Sequence, residues 1–135
     1  MSPVGSLHVR CVNILGAFLG RILRDEYIVS VQNPILLDDQ SEPEPDVSLL
    51  RYVADFYKNE LPKAADVKLI IEVADSSAAF DRSVKLSRYA LAGIAEAWLI
   101  DLSNDRVEVH TQPEQDHYGS VIIYERGDNV VSETR

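Results

Sequence analysis

The chain has 135 residues, a formal net charge of −9, 46% hydrophobic residues and 26% charged residues. This length and composition are typical of one soluble globular domain covering residues 1–135. The acidic charge argues against a simple nucleic-acid coat protein, which would be basic. It does not argue against a nucleic-acid enzyme, because metal-binding carboxylates count as negative charge in such a sum.

Cysteine content and hydropathy indicate the compartment. The single cysteine, Cys11, excludes an internal disulfide and a cysteine-based zinc site, which fits a reducing environment. Residues 1–20 resemble a weak signal peptide, but they contain no clear small-x-small cleavage site, and Arg21 and Arg24 continue the helical pattern. No apolar run approaches the roughly 20 residues of a membrane span. We therefore predict a cytoplasmic protein with no membrane association.

The first predicted element is an amphipathic helix over residues 6–25, with Ser6 as its N-cap. His8 lies on the apolar arc in the first turn, where a histidine is more often a hydrogen-bonded core residue than a ligand. The other members of that arc are Val12, Leu15, Leu19, Ile22 and Leu23, and the polar side carries Arg10, Asn13, Arg21 and Arg24.

Two strands and a short helix are predicted next. Residues 27–37 favour a strand that Pro34 restricts to an edge or a bulge. After an acidic turn over residues 38–44, a second strand begins near Asp46, which directly follows a proline. Ordinary turn chemistry is the alternative explanation of Asp46. Residues 53–62 indicate a short amphipathic helix or lid anchored by Phe56 and Tyr57.

The run over residues 67–73 predicts a strand covered on both faces, because it is apolar almost throughout. Its one carboxylate, Glu72, is costly to bury unless it is paired or bound to a metal. The helix predicted over residues 80–92 carries Asp81, Lys85 and Tyr89 within an arc of about 80°. Serines occupy the opposite side, so we expect this charged stripe to point inward. The alternative is a surface ion pair between Asp81 and Lys85, worth about 0.2–0.5 kcal/mol.

The remaining sequence completes the sheet. Gly93 is placed to cap the second helix, and residues 96–102 predict a buried strand with Trp98 in the core. A strand, a helix and a strand joined by short loops form a βαβ unit, so the strands at 67–73 and 96–102 should be parallel. Residues 106–111 and 118–125 predict a terminal hairpin across the polar loop 112–117.

Asp46, Glu72 and Lys85 together form a candidate catalytic set. Two carboxylates on adjacent strands can hold Mg²⁺ or Mn²⁺, with water completing the coordination. A neighbouring lysine can position or deprotonate the attacking water, and the ion stabilises charge on a phosphate. These residues are the minimum required for metal-assisted hydrolysis of a phosphodiester.

These residues resemble the PD-(D/E)xK nuclease superfamily and, more closely, the Uma family of proposed restriction endonucleases. The resemblance covers about residues 8–125. Ala74 stands where the superfamily usually carries its lysine, and Lys85 on the following helix takes that place. The acidic residue that the family tends to carry ahead of the first helix has no counterpart. The matching segments are 44–47, 71–73, the spaced Asp81, Lys85 and Tyr89, Gly93-Ile94 and 97–101.

The resemblance implies an α/β, restriction-endonuclease-like αβββαβ core, in which helices flank a mixed sheet and a C-terminal β-hairpin follows. It implies a Mg²⁺- or Mn²⁺-dependent endonuclease that hydrolyses DNA phosphodiester bonds. Asp46 and Glu72 would bind the metal and act in catalysis with Lys85, and Asp81, Tyr89 and His8 would support them. A homodimer would suit two-fold symmetric DNA. The alternatives are an inactive nuclease-fold module for binding or regulation, and an acidic interaction protein in which Glu72 merely pairs with Lys85.

Overall fold

The structure of the chain, a computed structural model, describes residues 5–75 and 79–132; for residues 79–81 it describes the helical backbone alone. Within these described residues, two helices and six strands form the fold. In chain order they are α1 (Ser6–Leu23), β1 (Tyr27–Val31), β2 (Val47–Arg51), β3 (Val67–Ala74), α2 (Ala79–Leu91), β4 (Glu96–Asp101), β5 (Arg106–Glu114) and β6 (His117–Glu125), with a 3₁₀ turn at Ala64–Asp66 before β3.

The strands form one mixed sheet in the order β1-β2-β3-β4-β5-β6. β3 and β4 are parallel, and the other neighbouring pairs are antiparallel. α2 supplies the crossover that a parallel pair requires. The predicted αβββαβ order, the parallel βαβ unit and the C-terminal hairpin are all confirmed.

The sheet is covered on both faces, which explains the near-continuous apolar sequence of β3. Ile71 and Val73 belong to a core cluster with Val12 of α1. Ile70 belongs to a second cluster with Leu86 and other residues of α2. Since neighbouring residues of a strand point to opposite faces, the two helices pack on opposite sides of the sheet. Glu72 shares the α2 side and is fully buried there.

α1 begins at the predicted residue, Ser6, and ends two residues before the predicted limit. Gly5, rather than Ser6, is the N-cap residue, and the helix ends at Leu23. Ile22 was predicted on the buried arc but is 55% exposed, because the contact with the sheet follows the line of Val12, Leu19 and Leu23. By length and composition alone this 18-residue helix, near the N-terminus, could cross a membrane, a test that core helices of soluble proteins and signal sequences also pass.

Two elements predicted between residues 27 and 62 differ from the structure: the strand lies at the sheet edge as predicted but is shorter, and the helix does not form. The strand predicted over 27–37 ends at Val31, because Gln32 has a positive φ of 55° that turns the chain out of the sheet. No helix forms over 53–62, where the structure has turns. The proposed anchors Phe56 and Tyr57 have φ values of 54° and 57°, and two consecutive left-handed residues cannot continue a right-handed helix.

The C-terminal half follows the prediction with longer strands. Gly93 adopts φ +79° and its N–H donates to the Ala90 carbonyl, as expected of a helix cap. β5 and β6 extend into the predicted loop 112–117 and pair as far as Glu114 and His117. Trp98 is partly buried against the α1-side core, and its Nε1 donates to Glu96 at 2.6 Å.

Candidate active site

The candidate site lies where β2 begins and β3 ends. Asp46 immediately precedes β2, and Glu72 lies in β3. Val47 pairs with Ile71, so the antiparallel register brings Asp46 alongside the next residue of β3, Glu72. Asp46 is 6% exposed and Glu72 is fully buried. Two carboxylates on adjacent strands are therefore held close together away from solvent, as the sequence predicted.

Asp46 is held by three groups through its Oδ2 atom. This oxygen accepts a hydrogen bond from the Val73 N–H at 2.8 Å. It also lies 3.2 Å from His8 Nε2 and 3.5 Å from Arg82 Nη2. The contact with His8 joins the first turn of α1 to the sheet, and it gives the buried histidine a polar partner. Turn chemistry alone does not explain an aspartate with these contacts.

Glu72 is approached mainly from α2. Its Oε2 accepts a hydrogen bond from the Tyr89 hydroxyl at 2.6 Å and lies 3.7 Å from Lys85 Nζ. Its Oε1 lies 3.7 Å from Arg82 Nε, and this distance is too long for a hydrogen bond. Glu72 Oε1 therefore has no hydrogen-bond partner in the structure.

Burial raises the pKa of Glu72 to about 7, because removal from water disfavours the charged carboxylate. The Lys85 charge and the Tyr89 hydrogen bond oppose that rise, the nearby Asp46 charge adds to it, and Arg82 lowers it. Burial and the adjacent Glu72 raise the pKa of the Tyr89 hydroxyl as well. Tyr89 therefore acts here as a neutral hydrogen-bond donor.

Arg82 is the site residue that sequence analysis missed. Its Nε and Nη2 donate to the Val73 carbonyl at 3.1 and 2.9 Å, and its guanidinium also faces both acidic side chains. A signal was present in the sequence. Arg82 precedes Lys85 by three residues and Tyr89 by seven, so the three side chains share one face of α2.

The structure brings Asp46, Glu72, Lys85, Tyr89 and His8 into one cluster. The side chain of Asp81, also predicted to support the site, lies outside the described residues. Lys85 and Tyr89, the members of the predicted charged stripe whose side chains are described, point towards the sheet. Ser83 is exposed, as expected for the opposite side of α2. Ala74 is buried, and Lys85 reaches Glu72 from the following helix.

The donor set fits a hard divalent cation with few protein ligands. Glu72 Oε1 is a buried carboxylate oxygen with no hydrogen bond. Asp46 Oδ2 and the Val73 carbonyl oxygen contact the same guanidinium as Glu72 Oε1. Among the residues that the structure describes, no group of three His, Cys, Asp or Glu side chains could hold a metal. A cation here would thus depend on two carboxylates, a main-chain oxygen and water, a composition that suits Mg²⁺.

Comparison with known proteins agrees with this architecture. Residues 1–134 match the family model described as Uma2, "Putative restriction endonuclease". The chain belongs to the Uma2 family. The predicted resemblance to the Uma family is confirmed, and the family supports a nuclease-like function acting on nucleic acid.

A solved structure shows the same fold. It is the crystal structure of a putative nuclease belonging to DUF820 from Anabaena variabilis ATCC 29413. The two chains are 14% identical and superpose with a TM-score of 0.75, over 97% of this chain and 73% of the other. At that identity the likeness concerns the fold alone. No match was found among curated proteins.

Proposed function

We propose that this Uma2 protein is a divalent-metal-dependent endonuclease that hydrolyses phosphodiester bonds of DNA. The observation that carries the proposal is the buried pair of carboxylates on adjacent strands, with the Lys85 ammonium 3.7 Å from Glu72. Buried carboxylates cost stability, and a fold retains them most readily where a cation or a reaction uses them.

The residues divide into metal ligands and groups that hold them. Asp46 and Glu72 would bind Mg²⁺ or Mn²⁺, with Asp46 oriented by the Val73 N–H and by His8. Tyr89 fixes Glu72 through Oε2 and leaves Oε1 available. When bound, the ion supplies positive charge that stabilises the phosphate undergoing transfer and makes water more acidic.

Lys85 is the residue that would contact the attacking water and the phosphate. Its side chain is 30% exposed, whereas Glu72 is fully buried, so Lys85 lies on the solvent side of the carboxylate. From there its ammonium can donate hydrogen bonds to an attacking water and to a phosphate oxygen, and it can pass a proton between them. This is the role that the superfamily resemblance implied for the lysine.

Arg82 favours one alternative, an inactive nuclease-fold module for binding or regulation. Its guanidinium already lies 3.5 Å from Asp46 and 3.7 Å from Glu72, as expected of a purely structural ion-pair cluster. In that case Lys85 only pairs with Glu72. The net charge of −9 is equally compatible with such a module, or with an acidic interaction protein.

Substitution of Lys85 by alanine separates these functions. If Lys85 is catalytic, the rate of plasmid cleavage in Mg²⁺ or Mn²⁺ should fall by about two to four orders of magnitude, the scale of one positioned proton-transfer group. The melting temperature should change little when the metal is present. The matched control is Lys58→Ala, at an exposed lysine outside the site, which should retain wild-type cleavage.

If the protein is an inactive module, Lys85→Ala should lower the free energy of unfolding rather than a cleavage rate. Removing the partner of a buried carboxylate costs about 3–5 kcal/mol when both charges are buried. The cost should be smaller here because Lys85 is partly exposed. A wild-type protein that neither binds metal nor cuts DNA, together with a Lys85→Ala variant that melts lower, would contradict the nuclease proposal.

A further inference from the structure

The Arg82 guanidinium lies at the convergence of three oxygen atoms in the candidate site. It contacts Asp46 Oδ2 at 3.5 Å, Glu72 Oε1 at 3.7 Å and the Val73 carbonyl at 2.9 and 3.1 Å. The side chain is 15% exposed, so it belongs to the interior of the cluster. These oxygens come from two adjacent strands, and they are the atoms that a hard cation in this site would use.

A guanidinium and a divalent ion compete for these oxygens. A Mg²⁺ ion binds oxygen at about 2.1 Å and attracts each ligand strongly, so a second cation in contact with the same oxygens would be repelled. Withdrawal of the guanidinium from these oxygens would therefore relieve repulsion when such an ion binds.

The contact distances indicate that the arginine is held loosely against the carboxylates. Charge-assisted N–H···O⁻ hydrogen bonds are about 2.7–2.9 Å long. The contacts of Arg82 with Asp46 and Glu72 are 3.5 and 3.7 Å. Its shortest hydrogen bonds go to the Val73 carbonyl, and its Nη2 also lies 3.4 Å from His8 Nε2. Burial and, to a smaller extent, the Asp46 charge raise the pKa of Glu72, and the positive charge of Arg82 nevertheless opposes that rise. Arg82 thus stabilises the metal-free site without forming strong bonds to the acids.

We propose that Arg82 is an internal cation that occupies the metal position of the free protein and is displaced when a divalent ion binds. This inference rests on the proposed metal-dependent function. It adds that metal affinity is lowered by competition within the chain, so that the site loads only when the ion outcompetes the guanidinium.

The test measures metal affinity rather than cleavage. Arg82→Met removes the guanidinium and keeps an unbranched side chain, and Arg88→Met is the matched control at an exposed arginine of the same helix. Mn²⁺ binding is titrated by calorimetry at about pH 8.5, well above the pKa of Glu72. Arg82→Met should bind Mn²⁺ at least about tenfold more tightly than the wild type, because no competing positive charge has to leave the carboxylates. Arg88→Met should bind as the wild type does.

A second measurement uses the unmodified protein and does not depend on the folding of a variant. Phenylglyoxal reacts with accessible guanidinium groups, and peptide mass spectrometry resolves Arg82 from Arg88. Saturating Mn²⁺ should increase the reaction rate of Arg82 several-fold and leave that of Arg88 unchanged, because displacement moves the Arg82 guanidinium out of the cluster.

The outcomes distinguish this inference from the proposed function. Equal Mn²⁺ affinities of wild type and Arg82→Met, with unchanged Arg82 reactivity, would overturn the displacement and leave the metal site standing. Absence of Mn²⁺ binding in both proteins would overturn the displacement and the metal-dependent function together. Tighter binding by Arg82→Met that Glu72→Gln abolishes in the double variant would support both.

Discussion

Glu72 makes the stability of the metal-free protein depend on pH. Its pKa rises from an ordinary value of 4.5 to about 7 in the folded protein. Between these values the folded chain holds a proton that the unfolded chain releases, so the free energy of unfolding should fall as pH rises through this window. The full shift corresponds to about 3 kcal/mol.

The measurement is a series of thermal melts in chelator between the two pKa values, for wild type and for Glu72→Gln. The difference between the two proteins isolates this carboxyl from the other titrating groups. The wild type should lose stability relative to the variant as pH rises, and Mn²⁺ should restore it near the upper limit by binding the ionised form. A difference that stays flat across the window would show that Glu72 keeps the same pKa in both states.

Local spacing allowed some of the site residues to be predicted and not others. A lone carboxylate in an apolar strand identified Glu72, and the spacing of the next helix identified Lys85 and Tyr89 as its neighbours. The bond between His8 and Asp46 joins residues 38 positions apart, so it depends on how α1 docks on the sheet. Its spacing places Arg82 on the same face of α2 as Lys85 and Tyr89, but its hydrogen bonds to a main-chain carbonyl could not be predicted from side-chain types.

At the scale of elements, two glycines of α1 make a matched test of its packing. A Cβ at Gly20 would meet no atom within 4 Å, whereas a Cβ at Gly16 would lie 2.9 Å from Val31 Cγ2 on β1. Gly20→Ala should therefore stabilise the protein by about 0.5–1 kcal/mol through helix propensity. Gly16→Ala should lose that gain, because overpacking costs about 1–3 kcal/mol. Chemical denaturation of both variants measures the contrast, and equal stabilisation would mean that α1 does not approach β1 this closely.

The elements that could be predicted have strong periodicity and regular connections. β3, α2 and β4 follow from an apolar run, an amphipathic stripe and short loops, and topology rules then dictate their parallel pairing. The failures lie where single residues adopt positive φ. Gln32 ends β1, and Phe56 with Tyr57 prevents a helix, although their side chains suggest regular structure. Such conformations are set by tertiary contacts rather than by residue type.

At the scale of the molecule, the fold explains why the site forms where it does. The first turn of α1 supplies His8 from one helix, and α2 supplies Lys85 and Arg82 from the other, around the strand ends that carry Asp46 and Glu72. Order and spacing along the sequence were enough to predict this meeting of β2, β3 and α2. They could not predict which cation contacts which carboxylate, because that depends on side-chain geometry.

Binding of DNA by a chain of net charge −9 requires a locally basic surface. Arg10 and Arg21 of α1 and the adjacent Arg24 are all exposed, and we expect them to contact phosphates in a two-fold symmetric dimer that matches duplex DNA. Reversing each charge to glutamate should weaken DNA binding and reduce its salt dependence, since each lost phosphate contact lowers the logarithmic salt slope by about one. Arg126→Glu, at an exposed arginine on the hairpin side, serves as the control.

Light scattering of the wild type should give the mass of a dimer. A monomer at high concentration, or arginine variants that bind DNA as the wild type does, would rule out this arrangement.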